Sequence, residues 1–197
     1  MNVFVGCSAA NVVNNDFIEY ISAIGDLIIK NKDNLIAGGR VGIMNHLLYK
    51  LEQNNIKSDI ITTKKYSNKL NFSDRATILQ NGLEKTDEVL SRADLLIFMP
   101  GGIGTLGELI EAIELKRSGN YNFDIILLNI GDYYKDIISF LKLTKKNKFL
   151  EEDINDLLII CNTPRSLKVE YNRIKLNNLG GLKWKILRSW TKDKLVK

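Results

Sequence analysis

The sequence predicts a doubly wound α/β domain: a sheet of six or more parallel strands with helices on both faces. Three observations carry this prediction. Short apolar runs alternate with segments of helical apolar periodicity along almost the whole chain. The runs are apolar at successive positions, as strands covered on both faces must be. Several of them end in glycine-rich turns that lead directly into a helix.

Each element follows in order. Residues 2–6 (NVFVG) read as a buried strand, and 15–30 as a helix with Phe17, Ile18, Ile21, Ile24, Leu27 and Ile28 on one face. Residues 34–39 (NLIAGG) form a second strand ending in glycines, 41–55 a second helix and 58–63 (SDIITT) a third strand. The polar stretch 64–72 reads as a loop. The segment 73–92 admits two readings. One is a long helix capped at Ser73. The favoured one is a shorter helix with Asn81 at the N-cap and Glu84 at N3, close to a capping box. Residues 94–99 (DLLIFM) are a strand, 105–118 a helix, 123–130 a strand, 133–146 a helix and 156–161 (DLLIIC) the last strand. The closing helix, 163–176, has Thr163 as N-cap and Pro164 at N1. With no internal repeat and no linker, residues 1–178 are expected to form one Rossmann-like nucleotide-binding domain with right-handed crossovers, followed by a basic tail, 179–197.

Composition excludes several classes. With 45% hydrophobic and 26% charged residues the chain has the make-up of an ordinary globular protein. No apolar run reaches the roughly 18–20 residues that span a bilayer. The N-terminus lacks a basic region before its apolar stretch, so no signal peptide is expected. Cys7 and Cys161 lie in strand-like contexts far apart and read as buried free thiols of a reducing, cytoplasmic compartment. No Cys/His spacing suggests zinc, and His46, the single histidine, reads as structural or superficial. The net charge of +5 is local: residues 183–197 hold six basic residues and one acidic, leaving 22 of each sign elsewhere. The neutral body implies neither a nucleic-acid nor a membrane partner. The tail, with two tryptophans, either touches a membrane surface or RNA, packs on the body, or frays.

In a doubly wound sheet, ligands bind beyond the carboxyl ends of the strands. Three junctions there carry chemistry. VGCSAAN leaves the first strand with small residues and Ser8. AGGRVGIMN leaves the second with Gly38, Gly39 and Gly42 around Arg40. PGGIGTLGE, 100–108, follows the strand at Met99. Glycines allow close backbone approach, and the helix that follows offers free N–H groups and its positive dipole end. A single such turn often only packs a helix on a sheet; two in one small domain point to a phosphate and its sugar. Neither is a Walker loop, and the GxGxxG spacing and acidic second strand of a dinucleotide site are missing.

PGGIGTLGE matches PGGxGTxxE, the signature of the Lonely Guy family of cytokinin riboside 5′-monophosphate phosphoribohydrolases, often labelled lysine decarboxylases. AGGRVGIMN is similar to the family's GGGxxGLMG, and VGCSAAN resembles its first-strand turn. The likeness runs from about residue 2 to residue 175. It implies hydrolysis of the N-glycosidic bond of a purine nucleoside 5′-monophosphate, cytokinin-type or AMP-like, to free base and ribose 5-phosphate, with no metal or organic cofactor, in a homodimer. Glu108 is then the carboxylate that stabilises positive charge on the ribose or activates water, with Glu111 on the same helix face. The 5′-phosphate would rest on the amides of Gly101, Gly102, Ile103, Gly104 and Thr105, the Thr105 hydroxyl adding a bond. Ser8, Gly38 and Gly39 would meet the other side of the nucleotide. Arg40 either adds a charged phosphate contact or points to solvent. Pyridoxal phosphate chemistry finds no support, as no constellation around a Schiff-base lysine is evident.

The sequence departs from the family at Met-x-x-Arg-Lys, which falls on 82–86. Lys85 stands at the arginine held to be catalytic, and Thr86 at the lysine. Lysine keeps the charge but loses the bidentate fork. Either Lys85 serves, or Arg75 supplies a guanidinium from the preceding loop. Asn45 also replaces a glycine, and Gly107 a second glutamate. Two alternatives stand beside the hydrolase: a nucleotide-binding or sensing domain without turnover, and a ribosyl or deoxyribosyl transferase.

Overall fold

A computed structural model describes residues 1–10, 15–71 and 74–192, with side chains to 178. Its seven strands are β1 (Asn2–Gly6), β2 (Asn34–Ala37), β3 (Ser58–Thr63), β4 (Arg75–Leu79), β5 (Leu95–Phe98), β6 (Asp124–Leu128) and β7 (Ile159–Cys161). Every pairing is parallel, in the order β4-β3-β2-β1-β5-β6-β7. The helices are α1 (Asn15–Asn31), α2 (Met44–Gln53), α3 (Gly82–Arg92), α4 (Ile103–Arg117), α5 (Lys135–Lys146), α6 (Ile154–Leu157) and α7 (Pro164–Lys192). Short 3₁₀ turns cover Lys64–Lys69 and Ile130–Asp132.

The alternation of side chains along each strand sorts the core into two layers. Val3, Val5, Leu35, Ala37, Leu95 and Ile97 face α1, α2 and α7, where Ile24, Ile28, Leu47, Leu51, Leu167 and Tyr171 meet them. Phe4, Ile36, Leu96, Phe98, Ile125 and Leu127 face the other way, against α3, α4, α5 and α6, through Val89, Leu90, Leu109, Ile113 and Ile138. Both layers are dry, which is why the central strands read as unbroken apolar runs rather than as alternating ones.

Winding runs outward from β1 in both directions. The chain passes β1, β2, β3, β4 to one edge, then crosses back over α3 to β5 and continues to β7. The switch point therefore lies between β1 and β5, where the helices leaving neighbouring strands diverge and open a crevice. The far end of the molecule is tied by Asp33. Its buried carboxylate accepts from the Tyr171 hydroxyl (2.7 Å) and the Met1 amino group (2.7 Å) and pairs with Lys175.

The doubly wound class and its helices on both faces are as expected, and the shorter α3 is correct. The Asn81 side chain accepts from the Glu84 amide (3.0 Å), and Glu84 reaches back to the Gln80 amide (3.1 Å) and the Asn81 side chain. Three expectations need correction. Residues 75–79 form β4 rather than loop or helix. Its burial alternates poorly because it is an edge strand with partly wetted faces, so its apolar signal is weak. Residues 154–157 are a helical turn before a shorter last strand, capped by Asp153. The closing helix continues from 176 to Lys192, across the expected domain boundary. The side chains of the basic tail, Trp184 and Trp190 included, lie outside the described residues.

The turns at the switch point demand glycine at one place in particular. Gly42 has φ +57°, and a Cβ there would lie 2.5 Å from the Ser8 carbonyl and 2.8 Å from that of Ala10. Gly42→Ala is expected to cost at least about 2 kcal/mol, from left-handed strain plus overlap with immovable backbone. Gly107→Ala, inside α4 with open space around it, should instead be neutral or gain up to about 1 kcal/mol. Urea melts of the two variants would read these opposite signs.

Candidate active site

A cleft of about 830 Å³ opens over the carboxyl ends of β1, β2 and β3 and the first turns of α3 and α4. Its floor is backbone: Gly6 to Ala10 after β1, and Gly38 and Gly39 after β2. The missing side chains there let the two turns approach and leave polar main chain open to a ligand. Ser8 borders the cleft, and its hydroxyl accepts from the Ala10 amide at 3.1 Å, holding the turn closed.

Two helices aim their N-termini into this space. In α4 the first ladder bond runs from the Leu106 amide to the Gly102 carbonyl (3.0 Å), and no side chain caps the helix. The amides of Ile103, Gly104 and Thr105 therefore precede the ladder, at the positive end of the dipole. In α3 the capping box occupies Asn81 and Glu84, and Gly82, Leu83 and Lys85 border the cleft.

Between the two helices sits one ion pair. Lys85 Nζ donates to Glu108 Oε1, both side chains less than one-fifth exposed. The same ammonium packs on Gly38, where a Cβ would stand 3.1 Å from it. The pair thus spans the switch point, with Lys85 arriving from the crossover helix and Glu108 from the helix after β5. Glu111 borders the cleft one turn on and pairs with no basic side chain among the described residues. Nine expected site residues come together here: Ser8, Gly38, Gly39, Lys85, Gly102, Gly104, Thr105, Glu108 and Glu111.

The others are placed differently. Arg40 neither borders the cleft nor points to solvent. Its guanidinium grips Asp74 (2.9 and 2.5 Å) and Glu52 (2.5 Å) and is 12% exposed. These acceptors hold its charge more firmly than usual, Asp74 above all. Gly101 serves packing: a Cβ there would fall 2.3 Å from Thr105 Oγ1. The Ile103 side chain turns outward and is 85% exposed. The Thr105 hydroxyl is buried and donates to the Cys7 carbonyl (3.2 Å), so it braces the first turn against α4 rather than offering its proton to a ligand. Arg75 stands at the start of β4, at the amino edge of the sheet, where it pairs with Asp59 (2.6 Å). It cannot stand in for Lys85 from the opposite end of the strands.

Sequence reasoning missed several residues. Cys7 borders the cleft; burial, then the nearby Glu108 charge, pushes its thiol up to about 12, so it is an inert wall rather than a nucleophile. Thr63, at the end of β3, and Lys65 and Tyr66, from the 3₁₀ turn after it that has no periodic signal, form the wall on that side. Tyr133 and Tyr134 donate to the carbonyls of Gly101 and Met99 (2.7 Å each) and fix the signature loop from outside. The pair of tyrosines was the only hint in the sequence. His46 is exposed. Among the described residues no group of three or more His, Cys, Asp or Glu side chains could hold a metal, and no helix is long and apolar enough to cross a membrane.

With this geometry in hand, the chain belongs to the family described as "Possible lysine decarboxylase", whose model matches residues 30–170. The Lonely Guy resemblance is borne out by curated relatives. A cytokinin riboside 5′-monophosphate phosphoribohydrolase of Oryza sativa subsp. japonica is 32% identical over 101 residues, covering 51% of this chain and 42% of the relative. One of Arabidopsis thaliana is 25% identical over 170 residues, covering 84% and 78%. Across three rice relatives the chain spans only 34% to 59% of their length. Among solved structures, the molybdenum cofactor binding protein of Rippkaea orientalis superposes with TM-score 0.63 at 19% identity, covering 88% of this chain and 94% of that one. The Moco carrier protein of Chlamydomonas reinhardtii gives 0.60 at 16%, covering 89% and 98%. These two share the fold. Of the two lysines that border the cleft among the described residues, Lys85 is ion-paired and Lys65 is exposed, so neither is a free, desolvated amine of the kind that forms a Schiff base.

The Arg40–Asp74 pair has a pH consequence. Burial pushes the Asp74 carboxyl up, but Arg40 and the Asn71 amide outweigh it and hold the group below its ordinary value. A depressed carboxylate contributes stability that is present above its unfolded pKa and lost as pH falls through the folded one. Asp74→Asn is therefore expected to be less stable than the wild type at pH 7, with the gap closing below about pH 4. Thermal melts of both proteins from pH 7 to pH 3 would show it.

Proposed function

We propose that the cleft hydrolyses the N-glycosidic bond of a purine nucleoside 5′-monophosphate, releasing the free base and ribose 5-phosphate. The observation that carries this reading is the Lys85–Glu108 pair, set beside an uncapped helix N-terminus over a glycine floor. The phosphate takes the amides at the head of α4. The ribose then lies over Gly38, Gly39 and the Ser8 turn, with Glu108 beneath it. As the bond from C1′ to the base nitrogen breaks, positive charge grows on the ring, and a fixed carboxylate in a partly dry site stabilises it. Glu108 also accepts a proton from the attacking water, whose oxygen bonds to C1′, and passes it to the departing base nitrogen, so that it ends the turnover as the carboxylate it began as. Lys85 holds the Glu108 side chain in place, and Glu111 orients the ribose hydroxyls. The relatives' names support a reaction of this type.

Release of free base from AMP, IMP, GMP and N6-substituted adenosine monophosphates, followed by chromatography, tests the reading. Glu108→Ala should lower turnover about 10²–10⁴-fold. Lys85→Met should fall steeply too, and Lys85→Arg, which keeps the charge and adds a fork, should retain most activity. Tight binding of a nucleotide without base release from any member of the panel would replace the hydrolase with a binding domain.

A homodimer belongs to the same proposal. Leu83 on α3 and Ile103 and Ile110 on α4 are 75%, 85% and 42% exposed beside the cleft, a face whose burial a second copy would reward. Sedimentation of the wild type should give twice the monomer mass. The pair Ile103→Glu, Ile110→Lys should give a monomer.

A further inference from the structure

Resting on the hydrolase reading, the wall on the β3 side names the base. We propose that Tyr66 and Lys65 form the base subsite, Tyr66 stacking the purine and Lys65 donating to an acceptor-rich edge. On this view the cleft takes a 6-oxopurine nucleotide in preference to a 6-aminopurine one.

The phosphate cradle heads the helix that follows β5, and the wall follows β3. Those strands are three spacings apart in the sheet, roughly 14 Å. A nucleotide whose phosphate lies at α4 and whose ribose lies over the β1 and β2 turns extends its base toward this wall. Among the described residues, two aromatic ones border the cleft. Phe4 is 2% exposed and belongs to the core, whereas Tyr66 is 38% exposed. Among the described residues, Tyr66 is thus the ring available for stacking.

The wall is also held in place. Lys64–Lys69 is a 3₁₀ turn, and Ser67 ties it to the Lys64 carbonyl (2.9 Å). Asp74, gripped by Arg40, accepts from the Asn71 amide (2.7 Å) and so anchors the far end of the connection. Arg40, which follows the β2 glycines, is in this sense a positioning residue for the wall.

Charge then selects the base. Among the described residues, four charged ones border the cleft: Lys65, Lys85, Glu108 and Glu111. Lys85 is neutralised by Glu108. Lys65 pairs with no carboxylate among the described residues, and its ammonium sits 5.3 Å from the Tyr66 ring centroid, within cation–π range. An ammonium donates three hydrogen bonds and accepts none. Guanine and hypoxanthine offer it two adjacent acceptors, O6 and N7. Adenine offers N7 beside an amino donor, which repels it. An N6 substituent removes nothing of that conflict and adds bulk.

Calorimetric titration of the full chain carrying Glu108→Gln separates this inference from the reading beneath it, because binding is measured without turnover. IMP and GMP should bind about tenfold more tightly than AMP, and Lys65→Met should abolish the difference. Tyr66→Ala should weaken IMP about tenfold and Tyr66→Phe little, while ribose 5-phosphate, which has no base, should be unaffected by either. Thermal melts confirm that each variant is folded. The base subsite is overturned if AMP binds as well as IMP, if Lys65→Met preserves the preference, or if Tyr66→Ala weakens ribose 5-phosphate as much as IMP. If base release fails for every nucleotide but these binding ratios hold, the hydrolase reading falls and the base subsite stands.

Discussion

Everything in the cleft depends on the reversal of winding between β1 and β5. Right-handed crossovers oblige a chain that has wound to one edge to return over the opposite face. Here α3 makes that return, on the layer that also carries α4 and α5. Its N-terminus therefore arrives next to that of α4, over the ends of β1 and β2. Lys85 and Glu108, 23 positions apart in the chain, meet because of this crossing. No local property of either helix would bring them together.

The pair is balanced between structure and chemistry. An ion pair this close, more than four-fifths buried on each side, fixes where the Glu108 side chain points as long as both members are present. Removing one leaves the other desolvated and alone, which costs more than the pair contributes. The remaining walls are deliberately inert. The Cys7 thiol is held protonated, the Thr105 hydroxyl is spent on the Cys7 carbonyl, and two tyrosine hydroxyls anchor the signature loop from behind. Such bracing keeps the open amides of α4 in register with the carboxylate, which preorganised electrostatic stabilisation requires.

Arg40 shows how position in a motif can mislead. It lies between two glycines of a turn that borders the cleft, in the place where a phosphate contact would be sought. Three side-chain hydrogen bonds instead turn it toward Asp74 and Glu52, away from the ligand side. Its partners are 34 and 12 residues away, and one of them sits in a polar connection without periodicity. The same connection supplies Lys65 and Tyr66. A stretch with no helical or strand pattern carries no hint of which way its side chains face, so the wall could not be read in advance.

The sequence by itself determined the layered class, the order of strands and helices apart from β4 and α6, the capping of α3, and the glycine turns with Glu108 at their end. These are local: periodicity, caps and missing side chains act within a few residues and leave their mark in the string. The tertiary structure alone decided the edge strand β4, the pairing of Lys85 with Glu108, the burial of Arg40, the exclusion of Arg75 to the amino edge, and the Tyr66 wall. Each of those rests on contacts between segments far apart in the chain. Such contacts follow from the handedness of the crossovers and the order of the strands, and no window of sequence contains them.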